Sequence, residues 1–291
     1  MKQLSLLTKV MFCIVAILLV ITVVLGIMTA VKDSKENKDK NQEISSTTVT
    51  PIPTPSPSGD ATATPTPTET PTPTPTEAPV ASGGHKIAID PGQQKSQMSE
   101  KEPIGPGASD TTVKMSYGAT SVTTGKREYE WSLPFAQRLK AELEARGYEV
   151  VLTREENDVK LSNAERAGFV NESGAELYLS LQADAASNKD AKGIYTQIPS
   201  QNNKFVGNLY ADCKRLAKAI QNNLIAETGA KDRGVQEIDK VSTINYSEVP
   251  VAVLQLGFMS NKEEDTNLWS EAYQDKMIKA ICDAIDTYFQ E

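Results

Sequence analysis

Three glutamines stand at the ends of apolar stretches that have the pattern of buried β-strands. Gln93 follows KIAIDPG, Gln182 ends ELYLSLQ and Gln255 ends VAVLQ. Parallel strands of an α/β sheet end at one edge, where such proteins bind ligands, so we predict that the three amides share one crevice. A side-chain amide both donates and accepts hydrogen bonds, which suits it to holding the amides of a peptide. It is a weak metal ligand and takes up no proton near neutral pH.

The elements that would position these glutamines alternate between strands and helices from Gly84 onward. This alternation predicts an α/β fold, with a mostly parallel twisted sheet and helices on both faces. The predicted strands cover residues 86–90, 148–154, 176–182, 193–198 and 250–256, the fourth being an edge strand or a hairpin partner. The predicted helices cover about 129–146, 162–172, 205–227 and 271–289, and a long polar loop separates the first strand from the first helix.

The first third of the chain differs in composition from the rest. After a short tail (1–9), residues 10–31 carry no charge, which predicts a transmembrane signal anchor. Residues 32–84 are charged and then rich in Pro and Thr, which predicts a disordered linker before a folded domain at 85–291. Lys2 and Lys9 precede the anchor and four lysines follow it, so the positive-inside rule taken alone opposes an extracytoplasmic C-terminus. We set this count aside because the linker resembles surface-exposed wall-spanning linkers, and we expect a single-pass protein of the cell membrane with an extracytoplasmic C-terminal domain.

Charge and residue usage exclude several classes of function. The formal net charge is -8, and no basic cluster lies outside the N-terminal region, which argues against nucleic acid as a partner. Cys213 and Cys282 fall on apolar helix faces, where we expect core packing. The one histidine, His85, lies in SGGHK, where we expect a solvated linker residue. A serine or cysteine triad would need a histidine in the fold, so any acid–base chemistry must use other residue types.

The order of six motifs resembles the zinc-dependent N-acetylmuramoyl-L-alanine amidases of the amidase_3 type, which cut peptidoglycan between the glycan and its stem peptide. The similarity extends over residues 86–290. The motifs are KIAIDPG (86–92), EYEWSL (128–133), LEARGYEVVLTR (143–154), LSNAERA (161–167), SLQADA (180–185) and VPVAVLQLGFMSN (249–261).

This resemblance implies roles for four positions. It places zinc ligands at residues 93, 128 and 182, and the catalytic general base at residue 255. Only Glu128 keeps the residue type of the family, because Gln93 and Gln182 stand for histidines and Gln255 stands for a glutamate. Zinc would be held weakly by this set, and an amide has no basic function, so the resemblance implies a degenerate active site.

Further residues are assigned around the same site. The resemblance implies a substrate cleft that keeps Asp90, Asp184 and Asn261. Arg154 and Arg166 are expected to form structural ion pairs beneath this cleft.

Three functions remain open at this point. The first is a membrane-anchored, catalytically inactive domain at the cell wall, which binds peptidoglycan stem peptide or positions cell-wall hydrolases and needs no cofactor. The second is an active peptidoglycan amidase with an atypical zinc site, built from Glu128 and carboxylates such as Asp90 and Asp184. The third is a protein-interaction scaffold without affinity for the wall. Zinc content and peptide release distinguish the second from the others, and binding to sacculi distinguishes the first from the third.

Overall fold

The structure, a computed structural model, describes residues 84–290. The predicted tail (1–9), membrane anchor (10–31) and linker (32–84) lie outside this range, except for Gly84. Among the described residues, no helix is both long enough and apolar enough to cross a bilayer.

A six-stranded sheet forms the centre of the described domain, and a separate hairpin lies beside it. The bounds of the strands are β1 Lys86–Pro91, β2 Met98–Pro103, β3 Thr111–Met115, β4 Glu149–Leu152, β5 Leu177–Asp184, β6 Ile194–Ile198, β7 Asp232–Glu237 and β8 Val251–Phe258. The strands of the six-stranded sheet lie in the order β4-β1-β5-β8-β6-β7, and β2 pairs with β3 in the hairpin. Neighbours in the series β4, β1, β5 and β8 are parallel, and β6 is antiparallel to β8 and parallel to β7. The prediction of a mostly parallel sheet is therefore confirmed.

Helices cover both faces of this sheet. Residues of α1 (Glu128–Ala145) and α6 (Glu271–Gln290) pack with Ile87 and Ile89 in one apolar cluster. Residues of α2 (Asn163–Glu172) and α4 (Ser242–Asn245) pack with Ala88 in the other. Successive residues of a strand point to opposite faces, so strands that are apolar throughout bury both of their sides. The bounds are α1 Glu128–Ala145, α2 Asn163–Glu172, α3 Tyr210–Thr228, α4 Ser242–Asn245, α5 Lys262–Leu268 and α6 Glu271–Gln290.

The strand predicted at 193–198 has a different place in the sheet from the one expected. β6 (Ile194–Ile198) lies between β8 and β7, so the prediction of an edge strand is wrong, and β7 (Asp232–Glu237) forms that edge. The expected long polar loop contains the β2–β3 hairpin. The sequence pattern did not predict β2 or β7 as strands. Both are polar and partly or largely exposed, so neither has the apolar pattern of a buried strand.

The prediction for the two cysteines holds, and the prediction for the histidine does not. Cys213 and Cys282 are free and fully buried, which confirms the prediction of core packing. His85 is not a solvated linker residue. Its Nδ1 lies 2.9 Å from Glu176 Oε2, and its ring stacks on Phe289 with centroids 4.0 Å apart. The first strand is thus tied at its start to the end of α6.

A buried carboxylate ties β1 to its neighbours at the other end of the strand. Asp90 Oδ1 accepts hydrogen bonds from the Thr153 hydroxyl (2.6 Å) and from Arg166 Nη1 (2.6 Å), and Oδ2 accepts one from the Ser180 hydroxyl (2.8 Å). Arg166 lies in the second turn of α2, which begins with a capping box between Ser162 and Glu165. Burial opposes the ionisation of Asp90, but the charge of Arg166 and these hydrogen bonds outweigh it, and the pKa of Asp90 lies below its ordinary value.

Replacing Arg166 with methionine should strongly destabilise the fold. The Asp90 charge would remain buried without its partner, so we expect Arg166→Met to lower the free energy of unfolding by about 3–5 kcal/mol. The exposed pair of Lys95 and Asp158 provides the control, because Lys95→Met should cost less than about 1 kcal/mol. Urea unfolding followed by circular dichroism measures both effects, and equal losses in the two variants would contradict the buried pair.

Candidate active site

Two of the three glutamines are direct neighbours at the carboxyl ends of β5 and β8. Gln182 and Gln255 are partners in the parallel register of these strands. Gln255 Nε2 donates a hydrogen bond to Gln182 Oε1 at 2.8 Å, and Gln182 Nε2 donates to Ser180 Oγ at 3.3 Å. Gln255 is 8% exposed, whereas Gln182 is half-buried. The two side chains expected to share a crevice therefore bond to each other.

Gln93 joins this pair from the end of β1. Its φ is 63°, a left-handed conformation that is costly for a residue with a Cβ, and its carbonyl oxygen accepts a hydrogen bond from Arg166 Nη2 at 2.9 Å. The side-chain oxygen accepts a hydrogen bond from the hydroxyl of Ser116, which follows β3, at 3.1 Å. A methyl group at Gly92 would overlap the Gln182 side chain. Because Gly92 has no side chain, the end of β1 can approach the end of β5 closely at this point.

Glu128, the first residue of α1, completes the group. Its carboxylate is 1% exposed and accepts hydrogen bonds from the backbone N–H groups of Ala119 (2.8 Å) and Ala183 (2.9 Å). A methyl group at Gly118 would overlap both Glu128 Oε2 and the Gln93 side chain, so these two side chains lie close together against that glycine. Burial raises the pKa of Glu128 to about 7, although the two N–H groups oppose this shift.

The residues assigned to a substrate cleft have partners within the protein. Asp90 lies beneath the glutamines in its ion pair with Arg166. Asp184 Oδ2 accepts a hydrogen bond from the Tyr195 hydroxyl at 2.5 Å. Asn261 caps α5, because its Oδ1 accepts the N–H groups of two residues in the first turn and its Nδ2 donates to the Lys189 carbonyl. Asp90 is thus buried with side-chain partners, and Asn261 positions the backbone at the start of α5.

The two arginines behave differently. Arg166 forms the expected ion pair with Asp90. The expectation is wrong for Arg154, which donates to the backbone carbonyls of Pro91 (2.9 Å) and Gly92 (3.2 Å) and to the side chain of Asn157. Both guanidinium groups thereby hold the loop after β1, which carries Gln93.

Two serines of the site were not identified from the sequence. Ser180 connects Gln182 to Asp90, and Ser116 holds Gln93. Ser180 had a usable signal, because it lies two residues before Gln182 and so shares its face of the strand. Ser116 had no local signal, since it reaches Gln93 only through the β2–β3 hairpin.

The donor set of the site does not match the set that zinc prefers. Protein zinc sites use histidine nitrogen, cysteine sulfur and carboxylate oxygen. Of the four residues at the assigned positions, only Glu128 belongs to these types, and residues 84–290 contain no group of three His, Cys, Asp or Glu side chains placed to hold a metal. The oxygens of Gln93 and Gln182 already accept hydrogen bonds from Ser116 and Gln255.

The parallel sheet with polar side chains gathered at its carboxyl edge defines an α/β protein with one site at that edge. The Amidase_3 family model, described as N-acetylmuramoyl-L-alanine amidase, matches residues 87–287. The chain therefore belongs to the N-acetylmuramoyl-L-alanine amidase family.

Relatives with similar sequences share parts of this domain. Over 170 residues the chain is 31% identical to the N-acetylmuramoyl-L-alanine amidase LytC of Bacillus subtilis (strain 168), a match of 58% of this chain and 33% of LytC. Over 171 residues it is 30% identical to the uncharacterized protein YqiI of the same strain, a match of 59% of this chain and 79% of YqiI. The chain thus spans about a third of the length of LytC.

Solved structures support the fold. The crystal structure of the N-acetylmuramyl-L-alanine amidase Ami1 from Mycobacterium smegmatis superimposes with a TM-score of 0.64 at 19% sequence identity, covering 72% of this chain and 99% of that chain. At this identity the likeness concerns the fold alone.

The raised pKa of Glu128 predicts a pH-dependent contribution to stability. A carboxyl group whose folded pKa is raised stabilises the fold below its unfolded pKa of 4.5, and this contribution is lost as the pH rises through about 7. At about 1.4 kcal/mol per pKa unit, the difference in unfolding free energy between wild type and Glu128→Gln should fall by about 2–3 kcal/mol from about pH 5 to about pH 8. Urea unfolding at each pH, with a chelator present, measures this difference. Glu155→Gln, which removes an exposed carboxylate, is the control for charge loss, and the same pH dependence in both variants would contradict the shift.

Proposed function

We propose that this chain is a cell-wall protein that has lost amidase activity and binds peptidoglycan stem peptide or positions cell-wall hydrolases. The bond between Gln255 and Gln182 is the observation that carries the proposal. The resemblance assigns these positions to a general base and a zinc ligand. In this chain they are two neutral amides that pair with each other.

The chemistry of the three glutamines argues against hydrolysis. An amide accepts no proton near neutral pH, so Gln255 cannot activate a water molecule. The amide oxygens at positions 93 and 182 are weak ligands, and Glu128 alone does not retain zinc against buffer. Both halves of a metal-assisted mechanism are affected, so we assign no cofactor.

The same group of residues supports ligand binding. Glutamine side chains supply donors and acceptors that match the amide groups of a peptide, and they lie at the edge of the sheet where α/β proteins bind ligands. Peptidoglycan stem peptide is the ligand of this kind that the family membership suggests.

We further propose that residues 10–31 anchor the protein in the cell membrane, with the C-terminal domain outside the cytoplasm. The support is the uncharged stretch of 22 residues and the Pro/Thr-rich segment that follows it. A linker of about 40 residues in an extended form reaches on the order of 120 Å, enough to carry the domain into a thick wall.

The geometry disfavours an active enzyme with an atypical metal site. Such a site would draw on Asp90 and Asp184 together with Glu128. Asp90 is committed to Arg166, Thr153 and Ser180, and Asp184 accepts a hydrogen bond from Tyr195.

Zinc content and activity test the loss of catalysis together. The purified domain, residues 84–291, should retain less than about a tenth of an equivalent of zinc after dialysis and should release no peptide from sacculi, because two ligands and the base are replaced. Stoichiometric zinc together with peptide release would overturn the proposal. A sacculus pull-down then tests the binding function, and failure to sediment with sacculi would favour a protein-interaction scaffold.

Returning the family residues should restore metal binding. Gln93→His combined with Gln182→His would form a three-ligand set with Glu128, so zinc should bind and raise the melting temperature by mass action. Adding Gln255→Glu should restore some peptide release, limited by how well neighbouring groups orient the new ligands. Calorimetry and thermal melts measure these effects.

A matched double variant controls for the added histidines. Gln97→His with Gln201→His introduces the same residue type at two exposed glutamines and should bind zinc no better than wild type. Each single histidine at the site should bind far more weakly than the pair, because two ligands rarely retain zinc. If the double variant at the site gives no calorimetric signal, the assignment of ligand positions to residues 93, 128 and 182 is wrong.

A further inference from the structure

A directed series of hydrogen bonds runs from the buried Asp90 carboxylate up to Gln255. Ser180 donates to Asp90 Oδ2 at 2.8 Å, Gln182 Nε2 donates to Ser180 Oγ at 3.3 Å, and Gln255 Nε2 donates to Gln182 Oε1 at 2.8 Å. Asp90 is held as a carboxylate by its ion pair with Arg166, and a carboxylate only accepts hydrogen bonds. Every donor in the series therefore points toward Asp90.

This direction determines the orientation of both side-chain amides. The Ser180 hydroxyl hydrogen is used toward Asp90, so the Ser180 oxygen is left to accept and Gln182 turns its NH₂ group inward. The oxygen of Gln182 then faces Gln255, which turns its own NH₂ group toward it. The carbonyl oxygen of Gln255 is thus the group at the outer end of the series.

That oxygen is an unsatisfied acceptor. Gln255 Oε1 has no hydrogen-bond partner among residues 84–290, although the residue is only 8% exposed. A buried acceptor without a donor costs about 1–3 kcal/mol, so an arriving donor removes this cost. A carboxylate or phosphate group would instead place one acceptor against another. The atom is covered, so a neighbouring side chain has to move before a ligand reaches it.

We infer that Gln255 Oε1 accepts a hydrogen bond from a peptide N–H group of the bound ligand. The inference rests on the proposed function, since a stem peptide supplies such N–H groups. It adds that the protein recognises the ligand through an N–H group that the ligand donates to Gln255 Oε1. Gln255 is then the residue that distinguishes an amide N–H group from a carboxylate at this point of the site.

One substitution in the protein and one in the ligand test the same hydrogen bond. The probe is the mixture of soluble glycan–peptide fragments from a muramidase digest of sacculi, titrated into the full chain in detergent. Gln255→Met keeps the length of the side chain without a strong acceptor, so the Kd should rise about tenfold. The N–H group of the ligand supplies the other half of the test, because removing it should cost the wild type the same contact. Gln97→Met makes the same change at an exposed glutamine and is the control.

A measurement on the ligand covers the case in which Gln255→Met does not fold, which melting curves would reveal. The peptide of the binding fragment is synthesised with each N–H group in turn replaced by N–CH₃. At one position the replacement should weaken binding to the wild type about tenfold and leave binding to Gln255→Met within about threefold of its value for the unmodified peptide. Uniform small effects at all positions would contradict a specific N–H contact.

The remaining outcomes are also decisive. A loss in Gln255→Met without any N–CH₃ position that weakens binding to the wild type would show that the ligand does not donate to Oε1, and no loss in Gln255→Met would show that Oε1 is satisfied within the protein. Each result overturns the inference and leaves wall binding intact. If the wild type binds none of the fragments, the binding of stem peptide in the proposed function itself fails.

Discussion

The buried ion pair between Asp90 and Arg166 is the constraint on which the edge of the sheet depends. A carboxylate with almost no access to water must be matched by charge and by hydrogen bonds, and Asp90 obtains these from the end of β4, from β5 and from α2. The same guanidinium group holds the carbonyl of Gln93. Three strands and one helix are thereby fixed around one charge. The hydrogen bonds donated by Ser180, Gln182 and Gln255 all point toward that charge.

This arrangement explains how the edge of the sheet keeps its architecture independently of the side chains above the buried charge. The helices, the parallel strands and the loops after them are held by the apolar clusters on both faces and by buried polar contacts below the edge. The side chains at positions 93, 182 and 255 contribute little to that framework. Glu128 is an exception, because its carboxylate joins the backbone at Ala119 to β5. At this position the carboxylate has a structural role of its own.

Much of the fold, and the meeting of the glutamines, followed from local patterns in the sequence. Apolar strands bounded by turns predicted β1, β5 and β8, and parallel strands place Gln182 and Gln255 side by side. The position of β6 could not be read in this way, because its outer neighbour β7 is a polar strand paired from a distant part of the chain. Asn261, which the resemblance assigned to a cleft, caps α5 through N–H groups close by in the chain, a role that its residue type can signal. Arg154 was expected in an ion pair, but its backbone partners are tertiary contacts without a sequence signal. The direction of the hydrogen bonds also depends on a charge buried several residues away.

The left-handed backbone at Gln93 has a consequence for how such a site changes during evolution. The conformation is held through the residue's own carbonyl and through the close contact at Gly92, and neither depends on the side chain at position 93. Residues 182 and 255 are likewise placed by the backbone ladder of their strands. Codons for glutamine differ from those for histidine, and from those for glutamate, by a single base. Each of these three positions can therefore exchange an amide for an imidazole or a carboxylate by point mutations alone, with no change in the path of the chain.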